Sequence, residues 1–303
     1  MSKPSGFRFL TVTFLAAVIS ALFVFMGAPF LRVLRNVYGP LKYWGAGTVI
    51  CLSFWLLGLQ PLTFLLGSIW LTVGCYNELE ENGRSGFWSA VLCVALGSAV
   101  LIFGSIYWAH SQALNISDIL KQGIESMQQQ LAVRGNSSSI KLDVEAIVQQ
   151  VPSAVILLLM TSLGFALMLD RRTGQMTGLR FEKIATQMKV LEFKCPDAFI
   201  WLTMSAFLFS FVKIDPPIVG VIATNVFNVM MGFYFFQGLA VLEVTLLSFK
   251  VGSFMRFLVY FILVGQLFFV LSAVGVIDYW VDFRARMKRM RQLGTDQKNG
   301  EHV

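Results

Sequence analysis

The sequence is poor in charge. Asp, Glu, Lys and Arg make up 14% of its 303 residues, against about 25% in soluble domains. The apolar set AVILMFWYC makes up 56%. This composition excludes a disordered chain and a small disulfide scaffold, and it argues against a soluble enzyme. A membrane protein with several crossings accounts for it.

The sequence is also short of metal-binding and disulfide-forming residues. It has two histidines, His110 and His302, and no two of its cysteines stand in C-x-x-C spacing. The cysteines are Cys51, Cys75, Cys93 and Cys195. This pattern predicts neither a zinc site nor a disulfide framework. We therefore expect no metal and no cofactor.

Catalytic motifs are missing as well. The chain contains no G-x-S-x-G, no Walker loop and no H-E-x-x-H, so we assign no catalytic residue and expect that it is not an enzyme. The net charge is +7. In a membrane protein such a charge indicates cytoplasmic loops. Nucleic-acid binding would need a soluble basic face, so no nucleic-acid partner is expected.

Long apolar runs dominate what is present. They lie at residues 9–28, 44–75, 87–109, 152–169, 196–212, 218–249 and 254–277. Since a crossing takes about 20 residues, these runs predict an all-α fold, a polytopic transmembrane helical bundle with about 7–8 membrane helices. The first run is longer than the apolar region of a signal peptide, about 7–15 residues. We interpret it as a retained helix.

Two of these runs are interrupted near the middle. Gln60-Pro61 stands inside Trp44–Cys75, and Gln237-Gly238 stands inside Ile218–Phe249. Paired interrupted helices are a sequence indication of a transporter binding site. The alternative is that Pro and Gly are simply common in membrane helices.

Composition divides the chain into four regions. Residues 1–109 hold the N-terminal membrane helices and residues 152–283 the C-terminal ones. Between them, residues 110–151 are polar, with apolar residues at helical spacing that predict an amphipathic helix followed by a second short one. Residues 284–303 form a basic tail.

Positive charge predicts the orientation. The positive-inside rule places the basic loop at 171–194 and the tail in the cytoplasm, so segment 110–151 is extracytoplasmic. Three runs then separate two cytoplasmic segments, which is an odd number. Either 218–249 crosses twice, or the last run is re-entrant, or the tail lies outside; an inside tail is favoured.

Two further polar stretches are expected between membrane helices. Arg32, Arg35 and Lys42 follow the first run, and we place them in a short loop. Residues 77–84 read NELEENGR, and we place them in a polar turn on the cytoplasmic side.

A polar face runs along residues 218–249. At 100° per residue, Asn225, Asn228 and Glu243 fall within about 60° of one another, and Glu243 is an ionisable group inside an apolar run. With Gln237, which lies off that face, they are our candidate substrate-binding residues. The alternative is interhelical hydrogen bonding, with Glu243 near the headgroups.

Small residues on the first helix suggest a packing surface. Ala17 and Ala21 stand four apart, as do Ala16 and Ser20, and such spacing lets helices approach closely. They pack either within the chain or against a partner helix.

The basic tail has two possible roles. Its cations are Arg284, Arg286, Lys288, Arg289 and Arg291. They bind anionic lipid, or they only fix the topology.

The second half resembles the YybS-like family of predicted bacterial membrane proteins. The matching residues are Phe193, Pro196, Trp201, Asn225, Gln237-Gly238-Leu239-Ala240, Gly275, Asp278 and Phe283-Arg284. The resemblance covers residues 150–290 and, more loosely, the first half. That family is distantly similar to the substrate-binding subunits of energy-coupling-factor vitamin transporters.

The resemblance implies a partner and a location. Such subunits bind a small molecule in a helical bundle and meet a membrane scaffold with its ATPase through small residues on the first helix, here Ala17 and Ala21. We therefore expect a multi-pass protein of the bacterial inner membrane that is a small-molecule binding or transport component without its own ATPase. The alternative is a non-enzymatic membrane scaffold or assembly factor.

Overall fold

The protein is all-α, as the apolar runs predict. The computed structural model describes residues 6–84, 86–134, 143–177, 193–212, 217–249, 251–252, 255, 259 and 268–286, and these contain helices but no strand. They form two compact units, Met1–Glu182 and Lys183–Val303. Of the basic loop predicted at 171–194, residues 171–176 belong instead to the helix Val151–Met176. Residues 178–192, most of 253–267 and the tail from residue 287 lie outside the described residues.

The first unit contains eight helices within its described residues. They are α1 (Gly6–Phe23), α2 (Ala28–Tyr38), α3 (Pro40–Leu56), α4 (Gln60–Glu81), α5 (Phe87–Ser111), α6 (Ile116–Arg134), α7 (Val144–Gln149) and α8 (Val151–Met176). The described part of the second unit contains α9 (Ala198–Phe211), α10 (Ile218–Ser248) and α11 (Phe268–Val281).

Four of these helices are long and apolar enough to cross a membrane. They are α1, α5, the Val151–Asp170 part of α8, and α10, while α9 and α11 are shorter apolar helices. Large apolar side chains face outward from them, for example Phe103 on α5 at 69% and Trp201 on α9 at 70% exposure. In a multi-pass membrane protein such surfaces contact lipid.

The first two helices form a hairpin whose ends meet. The ring of Phe9 near the start of α1 packs on Tyr38 at the end of α2, with centroids 5.1 Å apart. At the other end Gly27 lies so close to Ala16 and Ser20 that a Cβ there would collide with them. α2 is about 16 Å long, so it is too short to cross a bilayer core of about 30 Å by itself.

The loop predicted at Arg32 and Arg35 is therefore wrong, since both residues lie in α2. The local sequence specifies this helix. Pro29 occupies the first turn, where its missing N–H costs nothing. Gly39 follows the last turn with φ +84°, a conformation that glycine adopts without strain.

The predicted interruption between residues 44 and 75 is confirmed. α3 ends at Leu56 and α4 begins at Gln60, with Gly58 at φ +76° and Pro61 in the first turn of α4. The two helices pack side by side. The Tyr43 hydroxyl donates to the carbonyl of Trp70 at 2.6 Å, and Trp70 Nε1 donates back to the carbonyl of Tyr43 at 3.2 Å.

The second predicted interruption is wrong. α10 runs unbroken from Ile218 to Ser248, so this segment does not cross twice. Its 31 residues extend over about 46 Å, more than one bilayer core needs. Gly238 does not break the helix; it provides a place where a neighbouring helix comes close.

The polar segment between α5 and α8 is helical, as predicted. α6 and α7 occupy it, and the Asp143 side chain caps α7 by accepting from the N–H groups of Glu145 and Ala146 at 3.1 and 3.2 Å. α8 packs against α2, α4 and α5 in the first unit, although composition groups it with the C-terminal helices.

Candidate functional sites

The predicted polar face of α10 is partly buried. Asn225, Asn228 and Glu243 are all half-buried, and the Asn225 amide donates to the carbonyl of Val221 on its own helix at 2.9 Å. This internal bond satisfies one donor of Asn225 without fixing a neighbouring helix. The assignment of these residues to substrate binding stays a prediction.

Gln237 lies in a different environment, a buried polar network. It is 1% exposed, its Oε1 accepts from the backbone N–H of Cys195 at 3.0 Å, and its Nε2 donates to Asp278 Oδ2 at 3.1 Å. Gln237 thus links α10 to the chain before α9 and to α11. This is the interhelical hydrogen bonding that stands as the alternative to substrate binding for these polar residues.

Asp278 is the centre of that network. Its carboxylate, 1% exposed, also pairs with Arg284 Nη2 at 2.9 Å and accepts from the N–H of Phe283 at 3.0 Å. Arg284 Nη1 donates to the carbonyl of Phe193 at 2.8 Å. Several residues of the sequence resemblance therefore meet at one point, and the charge of Arg284 is neutralised inside the protein.

Two glycines bring α10 and α11 into backbone contact beside this network. A Cβ at Gly238 would collide with the carbonyl of Leu271, and a Cβ at Gly275 would collide with the carbonyl of Tyr234. Small residues allow this approach in membrane helix pairs. Ser272 adds a hydrogen bond across the pair, donated to the carbonyl of Met231 at 3.1 Å.

The first unit contains an open apolar groove between α1 and α3. The groove has a volume of about 760 Å³. From α1 it is lined by Phe9, Leu10, Thr13, Phe14, Ala17, Val18, Ala21 and Leu22, and from α3 by Lys42, Gly45, Ala46, Val49, Ile50, Ser53 and Phe54. From Phe9 to Leu22 it follows α1 for about 20 Å, two thirds of a bilayer core.

The small residues of α1 divide between two surfaces. Ala16 and Ser20 face the turn at Gly27, so that pair packs within the chain. Ala17 and Ala21 line the groove, which fits the prediction of a surface for another helix without testing it.

One polar atom in the groove wall has no hydrogen-bond partner. The hydroxyl Oγ1 of Thr13 is buried and bonds to nothing among the described residues, and Thr13 is 8% exposed. A buried hydroxyl without a hydrogen-bond partner destabilises the fold by about 1–3 kcal/mol, the desolvation penalty of the group. Because this atom is fully buried within the chain itself, it does not open into the groove.

One end of the groove is basic. Lys42, exposed at the start of α3, lies 5.9 Å from the centre of the Tyr38 ring, and Arg8 acts electrostatically on the same tyrosine. Phe9 packs on Tyr38 as well, so α1 and α3 both begin at this end. A helix in the groove would therefore meet positive charge at one end only.

The first unit contains a second buried polar network, which surrounds Arg32 on α2. Its Nη2 pairs with Glu80 Oε2 at 2.9 Å and its Nε with Asp170 Oδ2 at 3.1 Å, while Nη1 donates to Asn77 Oδ1. The side chains of Arg32, Glu80 and Asp170 are 1%, 9% and 3% exposed. One guanidinium thus joins α2 to the ends of α4 and α8.

Arg35, one turn further along α2, pairs with the same end of α4. Its Nη2 lies 2.7 Å from Glu81 Oε2 and 2.8 Å from Glu78 Oε2. Glu78 also accepts from Trp44 Nε1 at 3.2 Å, which adds α3 to the group. The two arginines fall on one helical face because they stand three apart.

This network was not predicted from the sequence, because charged residues between apolar runs are typical of loops. Residues 77–81, which were predicted to lie in a turn, form the last turn of α4. Two signals were present: Pro29 and Gly39 bracket a helix of 11 residues, and Arg32 and Arg35 share the spacing of Asn77 and Glu80. Among the described residues no cluster of His, Cys, Asp and Glu fits a metal ion.

The comparison with protein families gives the identity of the chain at family level. A family described as "Predicted membrane protein (DUF2232)" matches residues 7–279. The chain belongs to this family. The match covers the helices of both units, including the first half, where the sequence resemblance is loose. No curated protein and no solved structure matches the chain.

Proposed function

We propose that this protein is a non-enzymatic membrane subunit that holds a transmembrane helix of another integral membrane protein in the groove between α1 and α3. The proposal rests on the groove itself, whose apolar walls include Ala17, Ala21 and Gly45. Small residues are what close helix packing requires.

The chemistry of the groove defines the partner helix. The partner helix presents small residues four apart to Ala17 and Ala21, and an acidic residue at one end to Lys42. The small residues in the groove wall favour a helix of another protein over lipid, because they allow two helix backbones to come close.

A variant that fills the groove tests the proposal. A Cβ at Gly45 meets nothing within 4 Å, so Gly45→Leu occupies the groove without disturbing the chain. Gly220→Leu on α10 is the matched control, since its Cβ also meets nothing. Each form is purified gently from its own membranes, and bound proteins are identified by native mass spectrometry.

We expect wild type and Gly220→Leu to retain one membrane protein in a fixed ratio, and Gly45→Leu to lose it while its Tm is unchanged. Equal retention by all three forms would refute the groove as the docking surface. Binding of a second copy of this chain, lost in Gly45→Leu, would refute a partner of a different kind.

A role as a small-molecule transport component, with a transporter ATPase and its scaffold as the partner, is a second candidate. The observation that favours it is the shared half-buried face of Asn225, Asn228 and Glu243. This proposal includes the expected resemblance to energy-coupling-factor subunits and a place in the bacterial inner membrane. The same mass spectra test it, because Asn225→Ala and Glu243→Gln would each lose a bound small molecule that wild type retains.

A further inference from the structure

α6 is held at the surface of the membrane by both of its connections. Residues 112–115 join it to α5, and four residues reach at most about 14 Å. On the other side α7 packs against α6, and only Gln150 separates α7 from α8. Both α5 and α8 are membrane-spanning candidates, so the pair of helices cannot move far from the bilayer.

The side chains of α6 divide by polarity around the helix. At 100° per residue the large apolar side chains between residues 116 and 130 fall within an arc of about 140°. They are Ile116, Ile119, Leu120, Ile124 and Met127. The acidic residues Asp118 and Glu125 lie on the opposite side, where both are exposed.

The apolar arc is only partly covered within the chain. Ile119, Leu120 and Ile124 are half-buried, but Met127 is 64% exposed, and Leu114 just before the helix is 47% exposed. α6 contacts α5, and Tyr107 near the end of α5 is 68% exposed. Exposed apolar side chains therefore lie on both sides of the connection between α5 and α6.

From this placement we propose that α6 is an interfacial helix, lying in the plane of the bilayer surface with Met127 and its neighbours among the acyl chains and Glu125 in water. A helix with one apolar face binds a lipid surface in this way. Its charged residues, Asp118, Lys121, Glu125 and Arg134, sum to zero. Apolar burial drives the contact, so zwitterionic lipid is sufficient. This inference is independent of the groove.

Fluorescence quenching in the full chain tests the proposal. An environment-sensitive fluorescent amino acid replaces Met127 in one variant and Glu125 in the matched control; both positions are exposed, so the fold tolerates the change. The protein is reconstituted in phosphatidylcholine vesicles. Brominated phosphatidylcholine quenches from within the bilayer, and iodide quenches from water.

We expect the ratio of bromolipid to iodide quenching to be several-fold higher at position 127 than at 125. Equal access of iodide to both positions would place the apolar arc in water and overturn the proposal. Protection of position 127 from both quenchers would mean that protein covers it, which also overturns the proposal. So would quenching by bromolipid that appears only after anionic lipid is added.

Discussion

Both units contain a buried ion pair, but they differ at the main contacts between their helices. In the first, the guanidinium of Arg32 is buried among carboxylates from α4 and α8, and the helices are joined through long charged side chains. In the second, Gly238 and Gly275 remove the side chains altogether, so that backbones touch. In a membrane protein, buried ion pairs can therefore hold a helix in place when it is too short to span the bilayer.

The difference follows from the lengths of the helices. α10 is long and continuous, and Gly238 lets its backbone come close to that of α11. α2 has 11 residues and cannot be fixed by spanning the bilayer, so Arg32 and Arg35 attach it to its neighbours. Breaking half of a buried ion pair leaves an uncompensated charge. We therefore expect the first unit to be the more sensitive to single substitutions.

The largest expected effect is that of Arg32→Met. It leaves Glu80 and Asp170 buried without their shared cation, which should lower the free energy of unfolding by about 3–5 kcal/mol. The measurement is unfolding in mixed micelles, followed by tryptophan fluorescence. Arg84→Met, an exposed arginine just beyond α4, is the control and should change little. Equal stability of both variants would remove the contrast between the units.

The next largest effect is expected for Gly275→Ala. The added methyl group meets the carbonyl of Tyr234, and overpacking of this kind costs about 1–3 kcal/mol. Gly220→Ala on α10 meets nothing and should be neutral or stabilising, since alanine favours helix. The same unfolding assay separates the two. A stable Gly275→Ala would show that the backbones do not touch at this point.

A third prediction separates Gln237 from Asn225 on the same helix. Gln237→Leu leaves the N–H of Cys195 without its acceptor and should cost about 1–3 kcal/mol. Asn225 is only half-buried, and the bond that its amide donates to Val221 stays within its own helix, so Asn225→Ala should cost less than Gln237→Leu. Unfolding in mixed micelles measures both. If Asn225→Ala were the more damaging, the polar face of α10 would be structural.

The smallest effect concerns the reactivity of Cys195. Burial among Ile200 and Tyr234 raises the pKa of its thiol to about 12, so the reactive thiolate is scarce at pH 8. We expect Cys195 to react slowly with maleimide in the folded protein and readily after denaturation in SDS, as measured by peptide mass spectrometry. Equal rates in the two states would show that the segment before α9 opens.

Much of the fold follows from local sequence, but its buried contacts do not. The break between α3 and α4 is predictable because proline cannot continue the hydrogen-bond ladder, and α6 because its apolar residues recur at helical spacing. Gly238 shows the limit. A glycine in an apolar run can break a helix or admit a neighbour, and the deciding contact, Leu271, is remote in sequence.

Buried charged residues are hard to predict for the same reason, since their partners are remote in sequence. Arg32 looks like a loop residue because its partners Asn77 and Asp170 are 45 and 138 residues away, and nothing local marks them. Only the α1 side of the groove is predictable from the sequence, because the spacing of Ala17 and Ala21 indicates a packing surface. Which surface faces a partner depends on where α3 lies, and the sequence of α1 does not contain that information.

The most direct test of the account is photocrosslinking from the groove in native membranes. A benzophenone amino acid replaces Phe14, a groove-lining side chain that is 70% exposed, and in the control it replaces the exposed Phe103 of α5. We predict that position 14 alone gives an adduct with a different integral membrane protein, mapped by peptide mass spectrometry to a membrane-spanning helix with small residues four apart. Adducts with lipid alone at both positions, or with a second copy of this chain, would contradict the account.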